Sequence, residues 1–266
     1  MDSSVNPATP ATPAPASEVK FCCAAAYQTE WATLLLGNSF HPGGAALTRR
    51  LGEALGLAPG MRVLDVASGK GSSAIMLAQT FGCSVLGVDY GDESVRAASA
   101  AAEQAGVAAL VRFEQGDAER LPVADGSFDA LVCECAFCTF PDKRTAAAEF
   151  TRVLRPGGGV GLSDLTRHRA EIPADLRGLL AWIACIADAQ PVAEYVRYLT
   201  QAGLTVTLVE PHDDALGAMV HDIRTKLMGA ELLFKLKQVE LPNIDFEQAR
   251  ALARAAAEAV RARQFG

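Results

Sequence analysis

From Met61 onward the chain alternates two kinds of apolar pattern. Short unbroken apolar runs at residues 62–67, 84–89, 111–115, 128–133 and 159–163 each stop at glycine or a polar residue. Between and after them, apolar positions recur at helical spacing over 72–81, 92–105, 143–154, 174–187 and 192–202. Continuous runs suit strands buried on both faces, and the helical stretches supply the cover. The expected fold class is therefore α/β, a doubly wound and mostly parallel sheet, with a sixth strand at 204–209. Ligands of such sheets bind outside the carboxyl ends of the strands.

The flanks follow other patterns. Residues 1–18 are rich in Pro, Ala and Thr with little to bury, and a disordered tail is expected there. Residues 19–58 read as two helices around the break at 38–44, an N-terminal helical cap on the α/β domain of 59–212. Residues 213–266 read as a helical C-terminal extension, interrupted at Leu241-Pro242-Asn243. The 266 residues suit one large domain with appendages. A formal charge of −7, from 24 basic and 31 acidic residues, argues against nucleic acid or an anionic membrane as partner and favours a small molecule. No apolar run approaches the roughly 20 residues of a membrane span, and the N-terminus has no export signal, so a cytoplasmic location is expected. Seven cysteines in a reducing compartment read as core thiols, catalytic groups or metal and metalloid ligands rather than a disulfide framework.

Candidate chemistry begins at the strand ends. Asp65 to Gly71 form a small-residue turn between the first strand and first helix, where backbone can approach a ligand and a helix N-terminus offers free N–H groups. Asp89 ends the second strand 18 residues after Gly71, placed to accept two ribose hydroxyls. Asp117 follows the third strand, placed for the exocyclic amine of adenine.

The combined spacing of Val63-Leu64-Asp65, Gly69 and Gly71, Asp89, Gly116-Asp117-Ala118, Leu121-Pro122 with Phe128-Asp129, and Arg155-Pro156-Gly157-Gly158 resembles the class I S-adenosylmethionine-dependent methyltransferases, including the ubiquinone/menaquinone-type small-molecule enzymes. The resemblance implies a Rossmann-like fold and S-adenosyl-L-methionine as cofactor, held by Asp65, Ala67, Gly69, Gly71, Asp89, Tyr90, Asp117, Ala118, Cys133 and Glu134. Ala67 stands where the family usually has its first turn glycine. No run before Gly266 reads as the family's closing antiparallel strand, so the last helix replaces it or a partner subunit in a homodimer covers the sheet edge.

Cys133, Cys135 and Cys138 cluster at and beyond the fourth strand, Cys185 falls in the later helical stretch, and Cys22 and Cys23 lie in the cap. Core thiols, a C-x-x-C redox pair and a zinc site all fit such spacing, and Cys83 reads as core. Cys135 six residues before Pro141-Asp142-Lys143, then Glu149-x-x-Arg152, Ser163-Asp164 and Cys185, resembles the arsenite methyltransferase family. By that resemblance Cys135 and Cys185 hold trivalent arsenic. Cys138, and His41 as a base for a thiol or a conventional substrate, are further catalytic candidates. The family's cysteine inside the first turn is missing, since Ser72, Ser73 and Ala74 stand there. Cys22 or Cys23 then takes its place, or the arsenic enters already carrying an organic group. Soft thiolates suit arsenic, and its lone pair attacks the sulfonium methyl with no general base. Tyr27 and Trp31 could cover the cleft, and Asp164 could cap a helix. Two rivals remain: a methyltransferase for a small organic acceptor, with His41 as base, and a metalloid-binding protein without turnover.

Overall fold

The computed structural model describes residues 41–168, 188–236 and 246–266, with Lys20, Ala25 and Ile186. The expected tail, Cys22, Cys23, Tyr27, Trp31, the stretch 174–185 with Cys185, and the break at 241–243 lie outside the described residues. The elements in chain order are α1 (Gly44–Ala54), β1 (Arg62–Val66), α2 (Ser72–Phe81), β2 (Ser84–Asp89), α3 (Asp92–Gln104), β3 (Val111–Gln115) and β4 (Phe128–Glu134). A 3-10 turn, Phe137–Thr139, leads to α4 (Lys143–Val153), β5 (Leu154–Ser163), α5 (Val192–Gln201), α6 (Asp213–Lys235) and α7 (Phe246–Arg261).

The five strands form one parallel sheet in the order β3-β2-β1-β4-β5. Strands are laid down outward in one direction from β1 and then in the other from β4, so a crevice opens between the carboxyl ends of these two. Alternation along β1 divides the core. Leu64 and Val66 pack with Leu131, Phe137 and Phe150, and with Tyr195 of α5 and Leu216 of α6, while Val63 packs with Leu77, Ala74, Val85 and Ala102. Phe137 floors the loop after β4, with its ring centroid 5.6 Å from Phe150 and 6.0 Å from Tyr195.

Two side chains of α4 explain the Glu149-x-x-Arg152 spacing. Arg152 donates to the carbonyls of Leu121 (3.1 Å) and Val123 (2.8 Å), while Glu149 accepts the Leu121 N–H at 2.8 Å. One helical turn thus holds the Leu121-Pro122 loop beside the sheet. Buried Lys143 donates to the Phe140 carbonyl at 3.0 Å and pairs with Asp188.

Two expectations change. Residues 204–209 form no strand, and Leu208 and Val209 are exposed. The alternation of Thr and apolar residues fits a pleated surface, yet no neighbouring strand among the described residues supplies a ladder. β5 begins five residues earlier than expected, at Leu154, because Leu154 pairs with Phe128 and a register shift absorbs Arg155 to Gly158 before Gly159 pairs with Ala130. After α7 the chain turns back beside the segment leaving β5: Gly266 N–H donates to Thr166 O (3.0 Å) and His168 N–H to Gln264 O (2.8 Å), an antiparallel bridge centred on Arg167 and Phe265. No helix among the described residues is long and apolar enough to cross a membrane.

Candidate active site

The turn after β1 brings backbone close to the crevice. Ala67, Gly69 and Gly71 all have positive φ (59°, 53° and 82°), and Gly71 starts α2 with no side-chain cap. A Cβ on Gly71 would lie 2.5 Å from Phe113, so the position requires glycine twice over, by conformation and by space. Asp89 accepts the N–H of Gly69 (2.8 Å) and of Gly91 (2.9 Å), which ties the end of β2 to the turn. Burial pushes its carboxyl up, against those two amides.

Among the described residues, two buried side-chain oxygens of the cleft have no partner: Asp65 Oδ2, on a residue 2% exposed, and Ser68 Oγ in the turn. Burial, then Glu134 and Asp89, pushes the Asp65 carboxyl well above its ordinary range. Three carboxylates around one cleft wall favour a cationic ligand. The orphaned oxygens and carboxylates fit the cationic part of a ligand and the capless helix end an anionic group, and the tail of S-adenosylmethionine carries both.

The nucleoside end closes with Asp117, Ala118 and Tyr90, all lining the cleft. Lys20 joins them: its Nζ lies 2.8 Å from Asp117 Oδ2 and 2.5 Å from Glu119 Oε2.

The opposite end gathers around Glu134, whose side chain is 3% exposed. Its carboxylate accepts Ser73 Oγ–H at 2.6 Å and Thr48 Oγ1–H at 2.9 Å. His41 Nε2 lies 3.7 Å from Glu134 Oε2, and its Nδ1 is 3.1 Å from the Pro42 carbonyl oxygen. The cap loop, α1, α2 and β4 thus meet at one carboxylate. Cys135 follows directly, in the left-handed region (φ 51°), with its N–H donating to Ser163 O at 2.7 Å, and it lines the cleft.

The other thiols sit elsewhere. Cys133 is fully buried in the core beneath the cleft, and burial, with Asp164, Asp65 and Glu134 adding, pushes its thiol well up. Cys138 is buried in the same core, its N–H capped by Asp164 at 2.8 Å. Cys83 is buried behind the sheet, its Sγ 3.6 Å from the Leu77 carbonyl. Gly71 and Cys133 do not line the cleft, whereas Asp65, Ala67, Gly69, Asp89, Glu134 and His41 do. Among the described residues, no three His, Cys, Asp or Glu side chains converge as metal ligands. Sequence reasoning missed Lys20 and Thr48 and valued Ser73 only as a missing cysteine. Their partners lie 61 to 99 residues away, with no local signal.

A model described as a methyltransferase domain matches residues 64–161. An arsenite methyltransferase of Aquipseudomonas alcaligenes is 33% identical over 244 residues, covering 86% of this chain and 70% of that protein. A 27-O-demethylrifamycin SV methyltransferase of Amycolatopsis mediterranei is 34% identical over 160 residues, 59% of each chain. Against several mycobacterial relatives, the aligned part of the chain spans about half of their length. Among solved structures, a geranyl diphosphate C-methyltransferase from Streptomyces coelicolor, in complex with S-adenosyl-L-homocysteine, superposes with a TM-score of 0.73 at 16% identity over 96% of both chains. With this parallel sheet and this strand-end arrangement, the chain belongs to the class I S-adenosylmethionine-dependent methyltransferases.

Proposed function

We propose that the protein transfers a methyl group from S-adenosylmethionine to trivalent arsenic, as arsenite or an organoarsenical, held by thiolates in a reducing cytoplasm. The observation that carries this reading is the Cys135 thiol on the cleft wall, set in a strained left-handed conformation next to Glu134. Non-glycine residues in that region cost about 1–2 kcal/mol and persist where the surroundings impose them, often at functional sites. The long match to an arsenite methyltransferase supports the same reading, because it extends well beyond the methyltransferase domain.

Bound S-adenosylmethionine supplies an electrophilic methyl on a sulfonium. Asp89, held by two amides, offers its free lone pairs to the ribose hydroxyls; Asp65 and Glu134 supply negative charge opposite the cationic tail. Cys135 holds the arsenic as thiolate, and by the family resemblance Cys185, outside the described residues, is the second ligand. The arsenic lone pair forms the new As–C bond as the C–S bond breaks, and the electron pair of that bond stays on the departing thioether. Arsenic is oxidised by two electrons in the step, so an external thiol reductant has to restore it. No protein base enters.

A second reading rests on a separate observation, the buried His41 beside the Glu134 carboxylate, a pair suited to deprotonating an organic hydroxyl. Labelled methyl transfer from S-adenosylmethionine, with a thiol reductant, separates the two. Methylarsenicals from the wild type, background from Cys135→Ala and activity retained in His41→Gln support arsenic. Transfer only to organic hydroxyls, retained in Cys135→Ala and lost in His41→Gln, replaces it with the second reading.

A further inference from the structure

Lys20 lies 97 residues before Asp117 in sequence, yet its ammonium contacts both Asp117 oxygens, Oδ1 at 3.0 Å and Oδ2 at 2.8 Å. Lys20 and Glu119 are mostly buried at this spot, with side chains 15% and 14% exposed, and Asp117 is about one-third exposed. Glu119 is committed on its other oxygen, which accepts the Asp142 N–H at 2.8 Å. Asp117 Oδ1 also accepts the Glu119 N–H at 2.9 Å.

The acceptor count at Asp117 then becomes restrictive. A carboxylate has about four lone-pair sites. Two at Oδ1 are taken, by Lys20 and by the Glu119 amide, and one at Oδ2 is taken by Lys20. One acceptor site is left, on Oδ2, in a carboxylate that lines the cleft.

We propose that Lys20 is a positioning residue of the donor site: it fixes the Asp117 carboxylate so that a single Oδ2 lone pair remains for the exocyclic amine of the donor's adenine. This rests on the reading of the cleft as the S-adenosylmethionine site. Without the ammonium, Asp117 and Glu119 are two like charges, two residues apart, with nothing between them, and Asp117 swings toward solvent. Asp117, held with its acceptor face toward the base, opposes any base that presents an acceptor at the same edge. The site therefore selects adenine over hypoxanthine through a residue that need not touch the base.

Calorimetric titration of the full chain with S-adenosylhomocysteine and with S-inosylhomocysteine tests this, for wild type, Lys20→Met and Lys20→Arg. The expected result is adenosyl binding weakened about tenfold in Lys20→Met, as for loss of a charge-assisted contact. The adenosyl-to-inosyl preference falls several-fold, Lys20→Arg restores most of both, and in turnover the loss appears in the donor KM rather than in kcat. Tighter binding by Lys20→Met would show that the ammonium competes with the donor and would overturn the proposal. Equal losses for the two nucleosides would reduce Lys20 to a structural ion pair and also overturn it. Wild type that binds neither nucleoside would overturn the donor-site reading itself.

Discussion

At the nucleoside end of the cleft, the chain offers mainly backbone and strand-end carboxylates, each delivered by a turn only a few residues long. Gly69 N–H meets Asp89, Gly91 N–H meets the same carboxylate, and Gly71 opens α2. At the acceptor end, a single carboxylate, Glu134, gathers His41, Thr48 and Ser73 from segments 61 to 93 residues away. The two ends share one feature. Ala67 and Cys135 both follow the ends of the neighbouring strands β1 and β4, and both are non-glycine residues with positive φ. Apart from Lys20, whose side chain reaches Asp117 from 97 residues away, the first end is a product of local conformation and tolerates little change in backbone; the second is a product of tertiary packing and is defined by side chains.

The sharpest way to break the comparison is therefore a methyl group at Gly71. Alanine there has to adopt φ 82° and place its Cβ 2.5 Å from Phe113 and 3.0 Å from Ala98. Left-handed strain and overpacking together cost about 2–5 kcal/mol. Thermal unfolding is expected to shift down by several degrees, and donor binding to disappear. Retention of both under calorimetry would show that the turn is far softer than its geometry implies.

Asp65→Asn has a smaller effect, and its two consequences run in opposite directions. In the folded protein Asp65 keeps its proton to a higher pH than in the unfolded chain, where it titrates near the ordinary carboxyl value. Over that window the folded state binds more protons, so this residue's contribution to stability falls as pH rises and is lowest above the folded pKa. Asparagine removes the slope and raises the stability of the ligand-free protein at neutral pH, because it cannot ionise in the buried site. It also removes a charge facing the cationic donor, so S-adenosylmethionine affinity falls while the melting temperature rises. In the wild type a cationic donor favours the carboxylate, so binding releases protons and strengthens with rising pH. Titrations in two buffers of different ionisation enthalpy would reveal that release; none would mean that Asp65 is already charged.

The sequence is legible where the physics is local. The apolar runs of β1 to β4 and the helices α2 to α4 are read to within a residue, because buried parallel strands and amphipathic helices have different periods. Residues 204–209 carry a strand's alternation without a strand's partner, and the start of β5 is hidden behind Pro156, Gly157 and Gly158. Asp65, Asp89 and Asp117 are legible as strand-end acids. Thr48 reads as one polar position on a helix and Lys20 as one charge ahead of the cap, because neither carries any mark of a partner on another element.

The gentlest test separates backbone from thiol at the shared feature. Cys135→Gly and Cys135→Ala both delete the sulfur, but only glycine relieves the left-handed conformation. Glycine is expected to exceed alanine in stability by about 1 kcal/mol, or roughly 2–4 °C in melting temperature for a chain of this size. Methyl transfer to arsenic falls to background in both variants, because the acceptor needs the thiolate whatever the backbone does. Transfer that survives in glycine but not in alanine would mean that the strained backbone, and not the sulfur, is what this position contributes, and the acceptor end would then be built on the same local principle as the nucleoside end.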